Sequence, residues 1–180
     1  GCRQYIGYRF YRQQKARGQA PERNIMAFFR KKKKEDTGNQ ILDVNNIRTG
    51  CRAATSDEAI VSVGQMLLDA GFIEEGYIQG MLNRDHGLTT YIGNDIAIPH
   101  GEYDVKDCVK RTGLAIQIYP DGIPWAGGTV RVVIGIAATT DEHITILQNI
   151  AERLGDMAVV EEVVSGTPAS IHRIMTEKTA

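Results

Sequence analysis

The order of predicted elements gives an α/β class, with α+β the alternative, in which helices cover a mixed sheet. Two helical stretches come first, three strand-like runs follow, and the chain then turns helical to its end. The runs IAIPH (96–100) and LAIQIY (114–119) alternate, so one face of each is expected to be buried. VRVVIGIAA (130–138) is almost continuously apolar, as a central strand should be.

Thr55-x-x-Glu58 is a capping box, because each side chain can satisfy a free amide at a helix start. The helix it opens is expected to bury Ile60, Val63, Met66 and Leu67 and to stop at Gly71. A second helix covers Glu74 to Asp85, presents Ile78, Met81 and Leu82, and ends at Gly87. After the strands, Thr140 or Asp141 caps a helix with Ile144, Leu147, Ile150, Ala151 and Leu154 on one face, closed by Gly155. MAVVEEVV (157–164) makes a short helix. Thr167-Pro168 begins the last one, with proline at a first-turn position where its missing N–H is harmless.

With 180 residues, 42% of them hydrophobic, the chain can bury one ordinary core. Its net charge of -1 hides a division. Residues 1–34 hold 11 Lys/Arg against the single acid Glu22, a balance of +10; residues 35–180 balance at -11. The expected organisation is a basic extension or linker over 1–37 and a globular domain over 38–180. The extension reads as a solvated tail, with anionic lipid as the alternative surface for its polybasic end. No nucleic-acid motif frames it, so no nucleic-acid partner is expected. Cys2, Cys51 and Cys108 show no Cys-x-x-Cys spacing and cannot all pair, which suits a reducing compartment. No apolar run approaches the roughly 20 residues that span a bilayer. The expected location is cytoplasmic, with association through a fused or basic N-terminal segment as the membrane-bound variant.

Chemistry narrows to three residues. A neutral imidazole is a good nucleophile at cellular pH, with an ordinary pKa of ~6.5. His100 follows IAIP; Pro99 has no N–H to donate, so the strand should end there and turn outward beside Gly101. In isolation, a histidine at a strand end is more often an ordinary surface or hydrogen-bonded residue. His143 sits in the first turn of a predicted helix, where free amides favour an anion. Arg84, near the end of the second helix, offers a planar fork of donors for a phosphate, although such an arginine is usually just solvated. His86 and His172 carry only the plain reading, and Trp125 reads as packing before binding. There is no glycine-rich phosphate loop, nucleophile elbow or His-Glu-x-x-His motif, so neither cofactor nor metal is expected.

Three segments together change these odds: MLNRDHGLTTYIGNDIAIPHG (81–101), RTGLAIQIYPDG (111–122) and VRVVIGIAATTDEHITILQNIAERLGD (130–156). They resemble the enzyme IIA domain of the sugar phosphotransferase system, within its mannitol/fructose/nitrogen-regulatory group and closest to the mannitol branch. The resemblance implies a mixed β-sheet sandwiched between helices. It implies that His100 accepts phosphate from the phosphocarrier HPr and passes it to a cysteine of enzyme IIB for mannitol uptake through a membrane-embedded enzyme IIC. It places His143 at the second active-site histidine and Arg84 at the arginine of an R-[DE] pair. A regulatory module, whose phosphorylated His100 controls binding to a transcription factor or channel, is the alternative function.

Overall fold

The structure is a computed structural model that describes residues 41–138 and 140–177. The basic extension lies outside the described residues, and so do the side chains of Thr140, Asp141 and His143. The described chain builds a five-stranded mixed sheet from β1 (Ile47–Arg48), β2 (Tyr91–Gly93), β3 (Ile96–Ala97), β4 (Gly113–Trp125) and β5 (Gly128–Ala137). Spatial order is β1-β4-β5-β3-β2. β5 runs antiparallel to β4 and parallel to β3, so the continuously apolar run is the middle strand, as expected.

Helices α1 (Ser56–Asp69) and α2 (Gly76–Gly87) cover one face; α3 (Thr140–Arg153), α4 (Met157–Ser165) and α5 (Pro168–Thr176) cover the other. The side-chain period of two along β4 and β5 feeds both cores. Ala115, Tyr119 and Val133 join Ile60, Val63 and Leu67, whereas Ile116, Ile118 and Ile134 join Ile150, Val160 and Ile171. Because helices lie on both faces, the expected alternation fails. Every residue of 96–100 and of 113–119 is buried. The one polar residue this strands in β4, Gln117, is satisfied: its Nε2 donates to Ser62 Oγ at 2.8 Å and its Oε1 accepts from Tyr119 Oη at 2.7 Å.

The α1 start is half of the expected box. Thr55 Oγ1 accepts from the Glu58 N–H at 3.2 Å, while the Glu58 carboxylate takes the Ala54 N–H at 2.8 Å, one residue earlier than a reciprocal box requires. Ile60, Val63, Met66 and Leu67 are buried as their spacing implies. α1 lies close on β5 at Gly135, where an added Cβ would stand 2.8 Å from Val63 Cγ2. The buried stripe of α3 is Ile146 and Ile150, continued by Leu154 just past its end, and Ile144 is 65% exposed. Two positions along a helix turn about 200°, so Ile144 and Ile146 cannot share a face. Ala151 is also exposed. The Pro168 start is capped by Thr167, whose side chain accepts from Ser170 N.

Two features had no counterpart in the sequence reading, the edge strands β1 and β2. β2 and β3 form a hairpin about Asn94 (φ 49°) and Asp95 (φ 59°), left-handed positions that short polar side chains tolerate. That turn is bolted down. Asn94 Nδ2 donates to the Leu154 and Gly155 carbonyls at the end of α3, and Arg131 bridges Asp95 (2.8 Å) and Glu161 of α4.

Candidate functional site

Regular β3 pairing stops before Pro99, but the chain does not turn outward there. The Ile136 N–H donates to the Pro99 carbonyl at 2.9 Å, and His100 makes a last parallel bridge to Ile136. His100 therefore stands at the C-terminal end of two adjacent parallel strands, the usual place for a ligand in such sheets. It is only 7% exposed. Its Nδ1 lies 2.7 Å from the Ile98 carbonyl. A carbonyl can only accept, so Nδ1 carries the proton and the lone pair is on Nε2.

Gly101 admits no side chain. A Cβ there would stand 2.5 Å from Tyr77 Cε2 and 2.7 Å from Val105 Cγ2. The space beside Gly101 is filled from inside by the Tyr77 ring. The Tyr77 hydroxyl donates to the Ile136 carbonyl at 2.9 Å and accepts from the Gly101 N–H. Burial pushes its pKa up to about 12, with the Gly101 bond opposing. It stays a neutral donor at any physiological pH.

A cavity of about 220 Å³ opens beside His100, lined also by Tyr77, Arg84, Glu102, Tyr103 and Lys106. Two predicted residues, Arg84 and His100, meet there. Arg84 belongs to the last turn of α2, and its Nη1 donates to the Leu88 carbonyl at 2.6 Å, one of the five donors of a guanidinium. His143 falls in the first turn of α3. Its side chain lies outside the described residues.

Lys106 was not singled out from the sequence. It lies in the 3₁₀ segment Tyr103–Cys108, with Nζ donating to Tyr103 Oη at 2.6 Å and standing 4.0 Å from the ring centroid. The hydrogen bond to Tyr103 raises its pKa, so it holds a positive charge at the cavity. Nothing in the sequence separates it from Lys110, four residues on. Cations from two elements thus face a histidine with a defined lone pair, which suits a transiently bound, multiply charged anion.

The remaining candidates have plain roles. His86 pairs with Asp57 at 2.8 Å on the surface, and His172 Nε2 lies 3.2 Å from the Leu42 carbonyl. Trp125 is buried, with Nε1 donating to Asp85 at 2.9 Å. Among the described residues no cluster of three His, Cys, Asp or Glu is placed to hold a metal ion. No helix there is long and apolar enough to cross a membrane.

The family model described as phosphoenolpyruvate-dependent sugar phosphotransferase system, EIIA 2, matches residues 40–178. The chain is 42% identical over 140 residues to the "Multiphosphoryl transfer protein" of Escherichia coli O157:H7, covering 76% of this chain and 37% of that relative. It therefore spans little more than a third of that relative's length. It is 37% identical over 125 residues to the "Mannitol-specific phosphotransferase enzyme IIA component" of Halalkalibacterium halodurans, covering 69% of this chain and 86% of the relative. Among solved structures, it resembles the IIA mannitol chain in a complex with phosphorylated enzyme IIB mannitol from Escherichia coli. The TM-score is 0.70 at 34% identity, over 74% of this chain and 95% of that one.

Proposed function

We propose, for a chain that belongs to the EIIA 2 family of the phosphoenolpyruvate-dependent sugar phosphotransferase system, that it carries a phosphoryl group on His100 Nε2 from HPr to a cysteine of enzyme IIB in mannitol uptake. The observation that carries this reading is the Nδ1–Ile98 hydrogen bond, which leaves the nucleophilic lone pair at Nε2 beside a cavity lined by two cations.

The transfer balances simply. The Nε2 lone pair forms the new P–N bond as the bond from phosphorus to the donor's nitrogen breaks. The Nδ1 proton stays in place, donated to Ile98. The phosphorylated ring is then cationic and a good leaving group, so a cysteine thiolate can take the phosphoryl group onward. Arg84, Lys106 and His143 are assigned to the charge spread over the equatorial oxygens, where fixed donors act without reorganising. Exposure of Tyr103 and Ile144, at 69% and 65%, supports apolar contact with the two carrier proteins.

We assign phosphotransfer to residues 38–180 and a linking role to the basic residues 1–37, in keeping with a family match that begins at residue 40. The test is transfer from the phosphorylated chain to purified enzyme IIB proteins. A mannitol IIB should take the phosphate on its cysteine faster than a fructose IIB; equal rates, or no transfer to either, would reject the assignment.

A further inference from the structure

Asp85 does not line the cavity, yet it is a buried carboxylate at 7% exposure, next in sequence to Arg84. Resting on the reading of His100 as phosphoryl acceptor, we propose that Asp85 is a positioning residue that sets the tautomer of His100 through Thr90 and Ile98. The connection is continuous. Asp85 Oδ1 accepts from the Thr90 N–H at 2.8 Å and from the Thr90 hydroxyl. The Thr90 carbonyl accepts from the Ile98 N–H at 3.0 Å. The Ile98 carbonyl accepts from His100 Nδ1 at 2.7 Å. All four residues are buried, so water does not compete for any of these bonds.

The chemistry explains why such an anchor matters. In water a neutral histidine favours the proton on Nε2, which would put the lone pair on Nδ1, facing the backbone. His100 must hold the other tautomer, and the Ile98 carbonyl is the group that holds it. That carbonyl comes directly after β3, a strand only two residues long whose neighbour β2 is a sheet edge. Asp85 fixes the segment from the helix side. It also ties down Thr90, two residues from the Leu88 carbonyl that receives Arg84 Nη1 at 2.6 Å. One buried carboxylate thereby sets both the acceptor and its guanidinium. The bond from Trp125 Nε1 to the same oxygen belongs to packing and is separable.

The experiment is long-range proton–nitrogen NMR of the His100 ring in the full chain, above the histidine titration and without any phosphate donor. Wild type should show Nδ1–H. Asp85→Ala should shift the ring toward Nε2–H and slow phosphorylation by HPr on the order of ten- to a hundredfold, the scale of a misplaced reacting group. Asp85→Asn keeps an acceptor oxygen and should recover most of both. Trp125→Phe should leave the tautomer unchanged. An Asp85→Ala ring that stays Nδ1–H, with a rate within a factor of two of wild type, overturns the proposal. Should that variant not fold, Asp85→Ser, whose shorter side chain releases both Thr90 bonds, takes its place, and an unchanged tautomer and rate there overturn it equally. The tautomer is read without transfer, so a failure of the phosphoryl-carrier reading would leave this measurement standing and be seen separately.

Discussion

The Tyr77 hydroxyl donates to the Ile136 carbonyl at 2.9 Å, across the ends of the two parallel strands that present His100. That bond ties α2 to the strand end beside His100. Tyr77→Phe keeps the ring that packs on Gly101 and removes the hydroxyl bond. It should cost about 1–3 kcal/mol in urea denaturation, the penalty of leaving buried polar groups unmatched. A loss below 0.5 kcal/mol, on the order of a neutral surface change, would show that the hydroxyl holds nothing.

The same residue makes a pH prediction. Folding raises the Tyr77 pKa from 10.0 to about 12, so the folded state keeps its proton longer than the unfolded chain. The resulting stability is fully present below pH 10 and is lost as pH rises toward 12. Alkaline unfolding curves should show wild type falling through that window and Tyr77→Phe falling less steeply. Parallel curves would contradict the shift. Tyr119, raised further by burial, remains in both proteins and cancels in the comparison.

Gly101→Ala puts a methyl group 2.5 Å from the Tyr77 ring and 2.7 Å from Val105. Neither neighbour is a loose side-chain end, so the backbone beside His100 must move. Destabilisation of about 1–3 kcal/mol is expected from overpacking. Phosphorylation by HPr should slow as well. A variant as stable and as fast as wild type would mean that the strand end tolerates displacement.

Much of the fold was legible because burial on both sheet faces leaves a strong mark. A run such as VVIGIA (132–137) can only be a covered strand, and Thr55, Pro168 and Gly71 mark helix ends through backbone chemistry. β2 was hidden because three residues cannot show a period. The alternation read in 114–119 rested on Gln117, whose amide is polar in sequence but buried and satisfied by Ser62 and Tyr119. The helical spacing of Ile144 to Leu147 and Ala151 points it to the buried face, yet nearby Ile146 carries the core contact. At the site, His100 and Arg84 could be named from motifs. Lys106 and Tyr77 could not, and Asp85 stood only as the acid of the R-[DE] pair with no role, since what these residues do depends on contacts across elements far apart in sequence.

Arg84 and His143 are expected to stabilise charge without bonding to phosphorus. Arg84→Ala should fold normally and accept phosphate about 10²–10³ more slowly, the usual cost of one lost transition-state donor. Arg84→Lys should recover only part of that, because an ammonium lacks the planar fork. His143→Ala should keep its phosphate site on His100 yet transfer poorly. Rapid-quench rates within a factor of two of wild type would reject either role.

The central claim is that His100 is the residue that carries phosphate, and one labelling measurement tests it most directly. The full chain, incubated with enzyme I, HPr and phosphoenolpyruvate, is mapped for acid-labile, base-stable phosphate. Wild type should gain one phosphoryl group, on His100 Nε2, and His100→Gln should gain none. A His100→Gln protein that still acquires such a phosphate would contradict the account.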